Sequence, residues 1–383
     1  MSYLNPQAHW DKKRKRWRVN AQRDNVRKTF YSKLAGQKGK KDAERKALSW
    51  KSDIPYTPCT DKNPTVARLW EIYLVYLKEE KGVGTSTLDQ TRKYGRNYIL
   101  PVCGDIEITH LNEGHLQRVL NLSAQKGSLQ KNPRRPAKGP LSKKTLRGIR
   151  NTEQLFVKWC RINDYSTLVL EGLEVRSRAE KQEKRILQPE DLRTLFSVDT
   201  RLLRGQRVFD DQIYSYRFAV VTGLRPGELQ GLHIGDVTGD KLHVRRAINR
   251  YDEQTRGKND NARREFGLNS FAQAVVQQQL ELLRSEGMPT DPDSPLFPCL
   301  NQQSRYHQWK SYAKSNDLPD ISCYEMRHTF ISLAQNLPEG DLRRLCGQSQ
   351  SMDTRGVYAH KLIDDDTRIA SELDEILGRY LES

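Results

Sequence analysis

Apolar side chains recur at two different periods along the chain. Near the N-terminus, Lys15-Arg16-Trp17-Arg18-Val19-Asn20-Ala21 and Arg27-Lys28-Thr29-Phe30-Tyr31-Ser32 alternate bulky and basic residues around the polar stretch Gln22-Arg23-Asp24-Asn25. A period of two sends successive side chains to opposite faces, so the pattern predicts two paired strands joined by a turn. Asp42 to Trp50 reads as a short helix behind them, with Trp17, Phe30 and Trp50 as the expected core. After a Pro-, Thr- and Asp-rich linker from Ile54 to Pro64, the period lengthens. Val66, Leu69, Trp70, Tyr73, Leu74, Tyr76 and Leu77 lie at helical spacing, and the stretch ends at Gly82 and Gly84. Ser86-Thr87 caps a second helix through Tyr98, broken at Pro101. Leu116 to Leu122 predicts a third, and Ser142 caps a fourth through Leu146, Ile149, Leu155, Phe156 and Trp159. Between these last two, Gln125 to Pro140 is a basic loop.

Glu174 to Arg185 is almost wholly charged, which marks a hinge. Beyond Leu187, Gln188-Pro189-Glu190-Asp191 opens a helix, Tyr214 to Val221 is an apolar helix, and Leu242-His243-Val244 with Phe266-Gly267-Leu268 frame a hairpin. Further helices fill 269–286 and 325–383. The expected architecture is multidomain, mainly α with small β-sheets. It has an N-terminal β-ribbon plus helix (1–60), a four-helix domain (62–172), a linker (173–186) and a mainly helical domain with one small sheet (187–383).

Charge adds a partner to this picture. The chain of 383 residues carries 65 Lys+Arg against 48 Asp+Glu, a net charge of +17. Residues 1–60 hold 16 Lys/Arg and 5 Asp/Glu, so +11 of the excess lies there. Each cation that neutralises a phosphate releases a counterion, so such a head is the footprint of nucleic-acid binding. A disordered basic tail is the other reading, and the strand alternation speaks against it. A β-ribbon is narrow enough for a major groove, which makes Lys15, Arg16, Arg18, Arg27 and Lys28 candidate DNA contacts. Lys143 and Lys144, opening the fourth helix, join them.

Other functions are disfavoured. No apolar run approaches the roughly 18 residues that cross a bilayer, and the basic N-terminus lacks a signal peptide's apolar stretch. Neither membrane insertion nor export is expected. The six cysteines are scattered without CxxC spacing, so neither a disulfide framework nor a structural metal is indicated. A cytoplasmic, nucleoid-associated protein fits. There is no P-loop and no carboxylate cluster, and no cofactor or metal is expected.

Four short motifs carry candidate chemistry in the last domain. Thr222-Gly223-Leu224-Arg225-Pro226-Gly227-Glu228-Leu229 holds an Arg between a Gly turn and a Pro at a helix start, which fixes a guanidinium for bidentate phosphate binding. Tyr324-Glu325-Met326-Arg327-His328-Thr329, Gly347-Gln348-Ser349 and Val357-Tyr358-Ala359-His360 follow in order. A lone Arg is usually an ion-pair partner and a lone Tyr a half-buried aromatic, so each motif alone is weak.

Together, in this order and spacing, they resemble the tyrosine recombinase family, specifically the integrases of temperate phages and integrative conjugative elements. The resemblance covers nearly the whole chain. It implies an arm-type-site binding domain at the N-terminus, a core-site binding domain over 62–172 and a catalytic domain over 187–383. It also implies that Arg225 and Arg327 are the catalytic arginines and Tyr358 the nucleophile. Lys258, in the basic stretch Lys258-Asn259-Asp260-Asn261-Ala262-Arg263-Arg264, would be the hairpin lysine, with Arg256, Arg263 and Arg264 as DNA-backbone contacts. Two positions depart from the family pattern, Tyr324 and Gln348 standing where most members have His. A phenol is a poorer proton acceptor than an imidazole at neutral pH, and an amide can donate to a phosphate oxygen but cannot titrate.

The implied function is site-specific recombination that integrates and excises a mobile element or prophage through a 3′-phosphotyrosyl intermediate. The implied partners are double-stranded DNA attachment sites and a homotetramer on DNA, with room for an excisionase and a host DNA-bending protein. Two alternatives stand beside it: a DNA-binding regulator that kept the fold and lost the chemistry, and a Xer-like dimer resolvase, which lacks a basic head. Finally, Ile369, Leu373, Ile376, Leu377 and Tyr380 form an apolar stripe after Asp364-Asp365-Asp366. The stripe alone fits a helix folded back on its own domain equally well, and the resemblance implies docking on a neighbouring protomer.

Overall fold

The N-terminal alternation becomes a three-stranded antiparallel sheet, in the order β1 (His9–Asp11), β2 (Arg16–Arg23), β3 (Val26–Ser32). The structure is a computed structural model that describes residues 7–23, 26–52, 63–130, 139–180, 185–255, 263–348 and 365–381. In the ladder Val19 faces Phe30 and Ala21 faces Lys28, whereas Arg18 faces Tyr31, Asn20 faces Thr29 and Gln22 faces Arg27. Facing pairs share a side of the sheet, so Val19 and Ala21 lie on one face and Arg16, Arg18 and Arg27 on the other. The first face packs on helix α1 (Gly36–Ser52), where Val19, Ala21, Ala43 and Ala47 are buried. Trp17, Phe30 and Trp50, the expected core, are only partly buried around that centre. Alanines let helix and sheet approach closely, and the aromatics then wrap the edge. Strand β1 adds a third strand to the two that the alternation places, and Lys15 lies in the β1–β2 turn with φ 46° instead of in the strand.

Next come α2 (Val66–Val75) with a following π-helical turn (Tyr76–Glu80), α3 (Thr85–Tyr94), a π-helical turn (Gly95–Ile99) and α4 (Leu100–Cys103), then α5 (Glu113–Lys126) and α6 (Lys143–Ile162). The expected break at Pro101 does not occur. Proline has no N–H for the carbonyl four residues back, which is that of Asn97. That carbonyl accepts instead from the Leu129 N–H at 2.8 Å, and the helix runs on through Cys103. Trp70, Ile99, Leu116, Leu120, Ile149 and Phe156 fill the core. Part of the expected linker belongs to this body as well: Leu173 is buried in the same core, and the Ser177 hydroxyl donates to the Leu141 carbonyl at 2.7 Å.

Glu153, on α6, is fully buried, and neither carboxyl oxygen has a hydrogen-bond partner. Burial pushes its carboxyl well above the usual carboxylate range. The folded state then holds a proton that the unfolded chain releases, so stability is complete below the ordinary carboxylate pKa and falls as pH rises toward the folded one. Each pH unit in that window costs about 1.4 kcal/mol. Glu153→Met should remove the slope and stabilise the protein by about 1–3 kcal/mol at neutral pH. Thermal melting between pH 5 and 8 tests this, and an unchanged slope in the variant would refute it.

The chain divides into two units, Met1–Gln182 and Glu183–Ser383. The second holds α7 (Pro189–Ser197), the hairpin β4 (Thr200–Leu203) and β5 (Gln206–Phe209), α8 (Ile213–Thr222) and α9 (Pro226–Gln230). Then come β6 (Val237–Thr238), β7 (Lys241–Val244), β8 (Ala247–Ile248), β9 (Gln254–Thr255) and β10 (Arg264–Gly267), with β10-β7-β6 forming an antiparallel sheet. Helices α10 (Ser270–Ser285), α11 (Gln302–Ser315), α12 (Cys323–Leu333), α13 (Glu339–Cys346) and α14 (Asp365–Leu381) complete it. The pairs β4–β5 and β8–β9 and helix α11 were not anticipated, so among the described residues the one expected sheet is three small ones. Helix α8 is buried all round, with Tyr216, Phe218, Val220 and Val221 at 0% exposure, and α10 and α12 pack on it.

The C-terminal stripe folds back on its own unit. Ile369, Leu373 and Leu377 are buried in the core shared with α7, α10 and β10, and Asp374 accepts from the Ser270 N–H and hydroxyl at 2.7 Å. Within this chain the residues expected to dock on a neighbouring protomer cover their own unit's core, the arrangement that the stripe alone fits equally well. Removing the segment would therefore uncover this core. Among the described residues no helix is long and apolar enough to cross a membrane.

Candidate active site

Arg225 sits where one helix stops and another begins. Helix α8 ends at Gly223, whose φ of 65° lies in the left-handed region, and a Cβ there would come within 2.3 Å of the Phe330 ring. The chain then extends through Arg225 (φ −70°, ψ 148°), and Pro226 opens α9 with its ring-locked φ. The backbone under Arg225 is thus fixed, as the sequence suggested. Its Nη1 donates to Glu228 Oε1 at 2.6 Å, its backbone N–H to Glu228 Oε2 at 3.0 Å, and its Nη2 to the Gly347 carbonyl at 2.8 Å. The side chain remains 18% exposed, open to a ligand.

Arg327, on α12, reaches the same place from the other side. Its Nη1 donates to the Gly223 carbonyl at 2.8 Å and its Nη2 to the Cys346 carbonyl at 2.6 Å. Burial pushes its guanidinium down from the ordinary value, although an arginine stays cationic at neutral pH. The structure therefore brings the first two motifs together, and both meet the end of α13 that precedes the third.

Glu228 escaped the sequence reading as a site residue. Its signal was there: an acid three residues after the residue that caps α9 has capping-box spacing. Its carboxylate is buried between two arginines. Arg264 donates from Nη1 to Oε1 at 3.1 Å and from Nη2 to Oε2 at 3.0 Å. Burial alone would raise the Glu228 carboxyl, but the hydrogen bonds and charges of Arg264 and Arg225 outweigh it and hold the group below its usual range. Arg264, expected as a DNA-backbone contact, is only 6% exposed at its side chain and faces this carboxylate instead of solvent.

Tyr324 lies in the first turn of α12, 48% exposed, with its ring edge-to-face against His328 at 5.3 Å. It borders a cleft of about 420 Å³ whose wall includes Pro226, next to Arg225. Gln348 follows Gly347, which takes the left-handed φ of 57°, and its N–H donates to the Arg343 carbonyl at 3.0 Å. Arg263 is exposed. Lys258, Arg256 and Tyr358 lie outside the described residues. Among the described residues no cluster of three or more His, Cys, Asp or Glu is placed to hold a metal ion.

The expected DNA contacts of the N-terminal ribbon divide by face. Arg16, Arg18 and Arg27 share the face turned from α1, with the Arg16 guanidinium 3.7 Å over the Tyr31 ring. Lys28 lies on the helix side, its ammonium 5.7 Å from the Phe30 ring centre and 5.9 Å from that of Trp50. Lys15, Lys143 and Lys144 are exposed.

No protein-family model matches the sequence, and no curated protein does. Solved structures do. The Tn1549 transposon integrase, in complex with a circular intermediate DNA, is 18% identical with a TM-score of 0.58, the match covering 81% of this chain and 99% of that one. A lambda integrase dimer bound to a COC′ core site is 14% identical with a TM-score of 0.55, over 94% of this chain and 99% of that one. A lambda integrase tetramer bound to a Holliday junction is 12% identical with a TM-score of 0.53, over the same shares. The chain has the tyrosine recombinase fold, mainly α with small β-sheets.

Proposed function

We propose that this chain is a site-specific DNA recombinase of the tyrosine recombinase family, an integrase that inserts and excises a mobile element. The observation that carries the reading is the convergence of Arg225 and Arg327 on one place, each locked by carbonyls and Arg225 still open to a ligand. Two guanidiniums fixed side by side suit the non-bridging oxygens of a phosphodiester, where negative charge builds in the transition state. Tyr358 Oη attacks the phosphorus in line and loses its proton. The 5′-oxygen leaves, taking a proton from Lys258, and a 3′-phosphotyrosyl protein remains. The ester energy is conserved in that bond, so a partner strand's 5′-hydroxyl can reverse the step. Exchange of both strand pairs through a four-way junction needs four copies, and lambda integrase is solved as a tetramer on such a junction.

A nicked suicide substrate, from which the 5′ fragment diffuses away, tests this. Covalent trapping of the protein on DNA is the expected result. Binding without trapping would favour the second reading, a DNA-binding regulator with the recombinase fold, which Tyr324 and Gln348 in place of His support.

The ribbon face bearing Arg16, Arg18 and Arg27 should bind DNA sites of its own, distinct from the crossover site. Deletion through residue 62 should leave core-site cleavage intact and abolish integration between complete attachment sites. If the truncated protein integrates normally, the head does not recognise separate sites.

A further inference from the structure

We infer that Arg264 is a positioning residue for strand cleavage, neutralising Glu228 and tying Arg225 to the end of helix α13. The inference rests on the recombinase reading and adds a component to its site. Three consecutive carbonyls at the close of α13 each accept from a different arginine. Leu345 takes Arg264 Nε at 2.7 Å, Cys346 takes Arg327 Nη2 at 2.6 Å, and Gly347 takes Arg225 Nη2 at 2.8 Å. The last carbonyls of a helix lack intrahelical partners and carry the negative end of its dipole, so they form a cradle for cations. Three guanidiniums therefore sit at fixed offsets from one another along a single backbone stretch. That stretch precedes Tyr358 in sequence by 11 to 13 residues.

Charge makes Arg264 more than a strut. Glu228 is buried, and its two oxygens are shared between Arg225 and the fork of Arg264. With both arginines present, the three guanidiniums and one carboxylate leave two positive charges facing a bound phosphate. Without Arg264, the buried carboxylate has Arg225 as its remaining cation and draws that guanidinium in, halving the charge available to the phosphate. Arg264 does not touch the DNA in this arrangement. It keeps Arg225 aimed outward and charged in effect.

The test uses the full-length protein and two nicked substrates, one with an ordinary scissile phosphodiester and one with a methylphosphonate there. The methylphosphonate is neutral, so its cleavage draws less on arginine charge. Arg264→Met should bind the core site within about twofold of wild type, yet trap the phosphodiester about 100-fold more slowly, whereas Arg264→Lys, which keeps the charge and loses only the fork, should be slower by under about tenfold. On the methylphosphonate the deficit of Arg264→Met should shrink to under about tenfold. Adding Glu228→Gln to Arg264→Met removes the unbalanced carboxylate and should recover at least about tenfold of the phosphodiester rate. An equal deficit on both substrates would mark Arg264 as merely structural, and trapping by Arg264→Met at the wild-type rate would remove it from the mechanism. Should Arg264→Met fail to fold, Arg264→Gln, equally neutral, carries the same comparison. Failure of the wild type to trap either substrate would instead overturn the recombinase reading, and this inference with it.

Discussion

Tyr358→Phe is expected to abolish covalent trapping, by at least about 10⁴-fold, while core-site affinity stays within about twofold. Only a hydroxyl is lost, and it is the atom that would bond to phosphorus. Three other tyrosines are rivals for that role. Tyr380 is partly buried against the core of its own unit, on the helix that folds back. Tyr306 lines the cleft beside the candidate site, and Tyr324 lines it too while standing 48% exposed on the helix that carries Arg327. Tyr324 is therefore the serious competitor. Peptide mapping of the trapped adduct decides: DNA on the peptide containing Tyr358 supports the assignment, and DNA on Tyr324 or Tyr306 would overturn it. Tyr324→Phe should slow trapping without abolishing it, because its place in the motif is that of a proton-handling or hydrogen-bonding group.

The sequence showed most clearly what rests on local periodicity. The strands around Trp17 and Phe30 and the helices around Trp70 and Phe156 formed close to where apolar spacing put them. Gly223 and Pro226 fixed Arg225 as their local chemistry requires. What escaped depends on contacts distant in sequence. Pro101 reads as a breaker until Leu129 supplies the donor that satisfies Asn97. The stripe of α14 carries the same periodicity whether it covers its own core or a neighbour's, and the depth of Leu373 and Leu377 against their own unit is visible only in the fold. Arg264 reads as one more cation in a basic stretch, since nothing local says that Glu228, 36 residues earlier, will bury beside it. Glu153 is similar: a helix carrying one Glu among its apolar positions looks ordinary until all its neighbours close around it.

Arg225→Lys should slow cleavage by about 10²–10³-fold with little loss of core-site affinity. The guanidinium holds the Glu228 carboxylate at 2.6 Å and the Gly347 carbonyl at 2.8 Å with different nitrogens, and its planar fork has further N–H groups to aim at a phosphate. A lysine keeps the charge but gathers its three donors on one atom, which the buried carboxylate will draw toward itself. Binding survives because many other phosphate contacts contribute to it, whereas charge stabilisation in the transition state depends on geometry at one oxygen pair. The partly exposed position of Arg225 predicts an unchanged melting temperature. Arg327→Lys differs, for its side chain is buried and both of its Nη atoms serve carbonyls, those of Gly223 and Cys346. That variant should lose about 1–3 kcal/mol of stability along with its activity, as carbonyls are left unpaired in the interior. Single-turnover trapping rates, core-site affinities and melting temperatures of the two variants separate these effects. Wild-type turnover by Arg225→Lys would show that Arg225 does not contact the scissile phosphate, and a melting loss equal to that of Arg327→Lys would show that its main role is to hold the fold.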